Sequence, residues 1–243
     1  TDLSAVSNMQ PQLTGGRIGF AAVGADMYVD YIRVTATKPT VDDTVKSYTA
    51  ACAGVKRFVA TTAEGEEVSV YVLAKNAEDT RYPLYENEFT TAADAEDLRH
   101  NEKFSGFTAT PTVEDGKLRL VAQANGQNRR AFMVLPQYLA GFSDYTVELS
   151  AQMNSYIGSS WWGPMVRVQN DKYPFYVPNI TADKGKIYLS YHSDNAVWEK
   201  IWASTTAKTI TAGKNKADAD TTYVQTVTVS GSNLTYAVNG KEF

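Results

Sequence analysis

Two residue types that build covalent or metal cross-links are almost absent from this chain. One cysteine, Cys52, excludes an intrachain disulfide, and two isolated histidines, His100 and His192, cannot alone make a zinc site. Cys52 reads as a small buried residue. No apolar run is long enough to span a bilayer, so no membrane insertion is expected. The first residues show no basic-then-apolar signal pattern, and the chain reads as a soluble, excised piece, which says nothing of localisation. A single-sign charge surplus is also missing: 23 Lys and Arg against 27 Asp and Glu give −4, with the basic residues scattered. That argues against a nucleic-acid surface.

What is present is a β vocabulary: 15 Tyr, 9 Phe and 4 Trp, with many Thr and Val and frequent turn residues. Strand-like runs include "RIGFAAV", "DMYVDYIRVT", "VKRFVATT", "EEVSVYVLAK", "KLRLVAQ", "RAFMVL", "YTVELSAQM", "WGPMVRVQ", "YPFYVPNI", "KIYLSYHS", "YVQTVTVSG" and "NLTYAVNG". No helical pattern interleaves them. The expected class is all-β, a two-sheet antiparallel jelly-roll sandwich with a small β-hairpin appendage. Only "TAADAEDLRHNEKF", Thr91 to Phe104, has helix formers, and it reads as a loop holding one turn.

"EDGKL" at Glu114 to Leu118 and "VNGKEF" at Val238 to Phe243 signal tight hairpins, because Asp or Asn followed by Gly tolerates positive φ at both turn positions. After Asn239 and Gly240 the returning strand has only Lys241, Glu242 and Phe243. Joined head to tail, "LTYAVNGKEF" and residues 1–36 read as one meander. The "NGK" hairpin, "GGRIGF" and a strand ending "VDYIRV" resemble concanavalin-A-like lectin and glucanase jelly rolls, including laminin-G-like modules. "MYVDYIRV" looks like the closing strand of the family sixteen glycoside hydrolases. "YENEF" and "VEDGKLRL" resemble the opening strands of the same modules.

This resemblance covers Tyr85 to Phe243 plus Thr1 to Ala36, with the family's last strands placed first. It implies three segments: 1–36 as closing strands, 37–84 as a connector with a β-hairpin around "AEGEE", and 85–243 as the main body. A sandwich lacking its closing strands would leave an open edge and a wet core. Residues 1–36 are therefore expected to complete the sandwich, in their own chain or by exchange with a neighbouring copy.

The glucanase resemblance invites a catalytic test. A retaining glycosidase needs two carboxylates about 5 Å apart, and the family carries them on one strand as E-x-D-x-x-E. No such strand occurs here. "EGEE" at 64–67, "ENE" at 86–88, "DAED" at 94–97 and "DAD" at 218–220 read as solvated turns or strand entrances, and "KIYLSYHSDNAVWEKIW" offers only Asp194 and Glu199, wrongly spaced. Each histidine would need a serine and a carboxylate brought together by the fold to make a triad, which spacing cannot show. The expectation is no enzyme.

Binding is the stronger reading, because sugar C–H faces stack on Trp and Tyr while guanidinium and amide groups pair with hydroxyls. In "SSWWGPMVRVQNDKY", alternation places Trp161, Met165, Arg167 and Gln169 on one face and Trp162, Val166 and Val168 on the other. Trp161, Arg167 and Gln169, extended by Tyr176, Tyr188, Tyr191 and Trp198 with Trp202 nearby, form the expected carbohydrate-binding set. The resemblance further implies a structural Ca²⁺ on the convex side at Asp30, Glu86 and Gly116. Asn179 and Asn233 begin N-x-T sequons, which matter only in a eukaryotic secretory chain.

The expected function is a non-catalytic carbohydrate-binding module of an extracellular or cell-surface bacterial multidomain or repeat protein, with a polysaccharide or glycan as partner. The alternative is an adhesive subunit that self-associates through exchanged strands. A hydrolase with an unfamiliar site ranks third.

Overall fold

The computed structural model describes residues 15–36, 54–61, 65, 67–74, 82–96, 98–100, 111–124, 127–128, 130–169, 175–182, 186–192, 198–203 and 221–243. The strands in chain order are β1 (Arg17–Ala36), β2 (Gly54–Thr61), β3 (Glu67–Ala74), β4 (Tyr82–Asn87), β5 (Arg99–His100), β6 (Thr112–Glu114), β7 (Lys117–Val121), β8 (Gln123–Ala124) and β9 (Gln127–Asn128). They continue as β10 (Arg130–Val134), β11 (Tyr145–Val168), β12 (Phe175–Thr181), β13 (Ile187–His192), β14 (Trp198–Ala203), β15 (Thr222–Ser230), β16 (Asn233–Val238) and β17 (Lys241–Glu242). Short 3₁₀ turns at Ala92–Ala95 and Gln137–Gly141 are the helical elements described.

All pairings are antiparallel, and thirteen strands join one hydrogen-bonded sheet, with β2–β3 and β8–β9 as separate hairpins. The layers expected as separate sheets are thus linked into one network, because β1 and β11 run through both. The β2–β3 hairpin lies where "AEGEE" signals it. Within the described part of the Thr91 segment a 3₁₀ turn forms at Ala92–Ala95, and Arg99–His100, expected as loop, pair with β10 instead. The two tight hairpins form as their sequences demand, with positive φ at Asp115 and Gly116 and at Asn239 and Gly240.

β1 is a central strand of this sheet. It pairs with β11 along one side and with β10, β7 and β4 in succession along the other. A straight strand as long as β11, 24 residues, would run about 80 Å. Its ends nevertheless meet. Gly231, in the β15–β16 turn, donates its N–H to Asp144 Oδ1 at 2.8 Å just before β11 begins, and its carbonyl accepts from the Arg167 guanidinium near the strand's end.

β1 doubles back in the same way. Leu135 N–H donates to the carbonyl of Ile18 near its start, and the Tyr138 hydroxyl donates to the carbonyl of Leu84, beside the Tyr85–Val34 pair near its end.

The bend has a local cause. Val23 faces Trp161 while Ala25 faces Tyr156, so β1 advances two residues as β11 advances five. Gly24 takes φ 64°, open to glycine without Cβ strain. The buried Ser160 hydroxyl holds the bulge: Oγ accepts Ile157 N–H at 3.0 Å and lies 2.6 Å from the carbonyl oxygens of Gly24 and Ile157.

One main core fills the fold-over. Ile18, Phe20, Trp162, Val166, Tyr176 and Ile180 come from one layer, and Met27, Val29, Ile32, Leu118, Tyr145, Leu149 and Leu234 from the other. A second bulge keeps β1 in phase: Val29 faces Ala151 and Tyr31 faces Ser150, so Asp30 is the extra residue and Ile32 and Val34 return inward. Phe89 and Leu118 share the core with Met27 and Val29, and Phe243 packs against it.

β1 therefore carries core side chains of both layers. A chain lacking residues 1–36 is expected to be insoluble or unfolded by circular dichroism, and residues 1–36 added as a peptide should restore cooperative unfolding. A truncated chain that unfolds cooperatively as a monomer would contradict this placement.

Candidate functional site

The layer formed by β10, the first half of β1, the second half of β11, β12 and β13 has two faces. One packs on the main core. The other carries a second apolar cluster of Ala21, Val23, Phe132, Val134, Trp161, Met165, Val168, Phe175 and Val177. Alternation in β10, β12 and β13 adds Arg130, Asn179, Thr181, Tyr188, Ser190 and His192 to this face.

An aromatic group lies at its centre. The His192 ring stacks on Phe175 with centroids 4.6 Å apart and planes 9° apart, and lies 6.2 Å from Phe132 and 6.0 Å from Trp161. Phe132 lies 6.2 Å from Trp161 and 5.6 Å from Phe175, edge-on to the latter. The strands between these rings carry small residues: Ala21 pairs with Gly163, and Gly19 with Met165. A Cβ on Gly163 would come 2.1 Å from the Pro178 carbonyl oxygen, so only glycine admits this approach of β12.

The expected binding residues divide between the two faces. Trp161 and Tyr188 lie on the second face, 7% and 8% exposed, where most of their neighbours are at 0–1%. Arg167 does not join them. It takes φ 56° at a bulge where Arg17 faces Val168 and Gly19 faces Met165. The extra residue inverts the alternation, sending Val168 to the Trp161 side and Arg167 to the core side beside Tyr145.

There Arg167 is buried and caps Gly231. Burial raises the Tyr145 hydroxyl pKa, and Arg167 opposes the shift. Gln169 is half-buried and donates to the carbonyls of Gly15 and Arg167, the latter at 3.1 Å. Tyr176 and Tyr191 pack in the main core with ring centroids 5.5 Å apart. The side chains of Trp198 and Trp202 lie outside the described residues.

The residues implied for Ca²⁺ fall on the outer face of the other layer and at its β6–β7 turn. Asp30 pairs with Lys117 Nζ at 2.7 Å and accepts from Ser150 Oγ at 3.0 Å, while Glu86 pairs with Arg33. Gly116 occupies the turn next to Lys117. Lys117 and Arg33 thus supply positive charge to these carboxylates, and among the described residues no three His, Cys, Asp or Glu are grouped so as to hold a metal.

The same outer face carries a charged network. Arg119 pairs bidentately with Asp26 at 3.1 and 3.0 Å and reaches Glu114 at 3.2 Å. The Tyr31 hydroxyl donates to Glu148 at 2.8 Å, and its pKa is pushed up to about 12 by burial and then by that bond.

Sequence reasoning left out Phe132, Phe175, His192, Asn179 and Ser190. Alternation within "RAFMV" and "FYVPN" puts the right residues together strand by strand, but the register joining those strands is set by tertiary pairing. Asn179, a sequon residue, is fully buried, donating to the Val177 carbonyl at 3.1 Å and to Ser190 Oγ at 3.3 Å, whereas Asn233 is exposed.

Burial, with the Arg130 charge as a lesser cause, lowers the His192 pKa from 6.5 to about 3. The folded state keeps the ring neutral while the unfolded chain binds a proton below about pH 6.5, so stability falls as pH drops from there towards 3. At pH 5 the loss is about 2 kcal/mol from this group. Urea midpoints at pH 7 and pH 5 should lie closer together in His192→Phe than in the parent, and equal shifts in the two proteins would contradict the assignment.

Compared with known proteins, the chain matches no family model, no curated protein and no solved structure.

Proposed function

We propose that this chain is a non-catalytic carbohydrate-binding module, with a polysaccharide lying across the second face at Trp161 and Tyr188. The observation that carries the reading is the second aromatic face itself. A layer that packs one face on a core needs only that face to be apolar, yet here the opposite face is aromatic as well. Trp161 and Tyr188 are the least buried aromatic residues of this face, at 7% and 8% exposure. Aromatic rings beside amide, hydroxyl and guanidinium groups are the complement of a sugar's C–H faces and hydroxyls.

In this reading the folded-over sheet is a jelly-roll sandwich of the concanavalin-A-like kind, and the module belongs to an extracellular or cell-surface protein. A second reading, an adhesive subunit assembling by strand exchange, is favoured by the central place of β1. A neighbouring copy's residues 1–36 would make the same pairs, and a light-scattering mass of two or more chains would support it.

The binding reading is tested by affinity electrophoresis of the folded chain in gels containing a panel of polysaccharides. The parent should be retarded by at least one polymer and Trp161→Ala by none. Phe132→Ala, which empties a fully buried site, should cost more stability than Trp161→Ala, within about 3–5 kcal/mol. No retardation on any polymer, or retardation unchanged in Trp161→Ala, would contradict the proposal.

A further inference from the structure

We infer that the interior between the two layers holds a water-binding site, where ordered water accepts from Trp162 Nε1 and satisfies the open side of the Gln225 amide. The inference is independent of the carbohydrate-binding reading. Trp162 lies on β11 between Ala22 of β1 and Ile180 of β12, and Gln225 lies on β15 between Leu149 of β11 and Val238 of β16. Both face the main core, and both are at 0% exposure.

The two side chains share a neighbour. The Trp162 ring reaches across the interior to Tyr223 on β15, with centroids 6.0 Å apart. Gln225 follows Tyr223 by two residues on the same side of β15, about 7 Å along the strand. They therefore belong to one region of the core, where the layer holding β12 meets the layer holding β15.

Their hydrogen-bonding capacity is not used up there. The Tyr236 hydroxyl donates to Gln225 Oε1 at 2.5 Å, and burial raises the Tyr236 pKa, so that hydroxyl keeps its proton. Gln225 Nε2 has no acceptor among the described residues, and neither has Trp162 Nε1. Buried donors are paired almost without exception, because an unmade bond forfeits the hydration the group had in the unfolded chain. Reversing the amide moves the deficit without curing it: Nε2 would then serve the Tyr236 oxygen, and Oε1 would lack a donor. Water suits either orientation, since it both donates and accepts. It also needs space as well as polar neighbours, and the adjoining positions are short, with Ala22 next to Trp162 and Ala151 next to Tyr223. Water held here joins β11 in one layer to β15 in the other.

NMR of the folded, isotope-labelled chain tests this without any substitution. The Trp162 indole proton and the Gln225 side-chain amide protons should each show a cross-peak to water, of the sign that marks residence longer than molecular tumbling. Water-oxygen relaxation dispersion should count at least one fewer long-lived water in Gln225→Leu than in the parent, and in Gln225→Met should the leucine variant not fold. Absence of both water cross-peaks would overturn the inference. So would a Gln225 amide proton that is shifted upfield and shows no water contact, the signature of an N–H lying over an aromatic ring. A water count equal to the parent's in a folded Gln225 variant would overturn it as well.

Discussion

The rest of this structure depends on the ladder between β1 and β11. The two strands remain paired from Arg17–Val168 to Thr35–Thr146, and they stay paired while folding over. An antiparallel pair cannot bend so sharply without giving up ladder bonds, and orphaned buried backbone groups are costly. The Ser160 hydroxyl offsets that cost, accepting from Ile157 N–H and donating its one proton to the carbonyl of Gly24 or Ile157 at the bulge. With that knot in place, the core side chains of both strands face each other across one interior.

Folding the pair over also decides which faces are left. The layer holding β4, β7 and β15 to β17 turns a polar outer face away from the core, bound by the Asp26–Arg119, Asp30–Lys117 and Arg33–Glu86 pairs. Partly exposed pairs of this kind contribute little each, so they mark that face as solvated rather than as the source of stability. The other layer has an aromatic second face, and the close approach of β12 at Gly163 brings Phe175 and His192 towards Phe132. The contrast between the two faces motivates the functional reading.

Much of the fold was legible. Asp-Gly and Asn-Gly fixed two hairpins because few other residue pairs adopt positive φ at both positions, and "AEGEE" marked the β2–β3 turn. Met27 and Val29, the apolar neighbours of Tyr28, lie in the core, but nothing in "DMYVDYIRV" showed that Asp30 is a bulge residue or that β1 is central. The candidate site was half legible. Alternation put Trp161 and Met165 on one face, where the structure also has them, while Arg167 is turned to the other by a single positive φ that reverses alternation locally. Phe132 and His192 come from strands far apart in sequence, and only the tertiary register brings their rings to 6.2 and 6.0 Å from Trp161.

The central claim, that β1 is the strand on which both layers are built, is tested most directly by residue-resolved native-state hydrogen exchange. Amides of β1 bonded to β11 and β10, from Gly19 to Val23, should exchange only through global unfolding, with the same free energy as their partners in β11. The strand β17, paired with β16 alone among the described strands, should exchange by local fraying. Amides of β1 that open locally at lower free energy than the β15–β16 ladder would contradict the account.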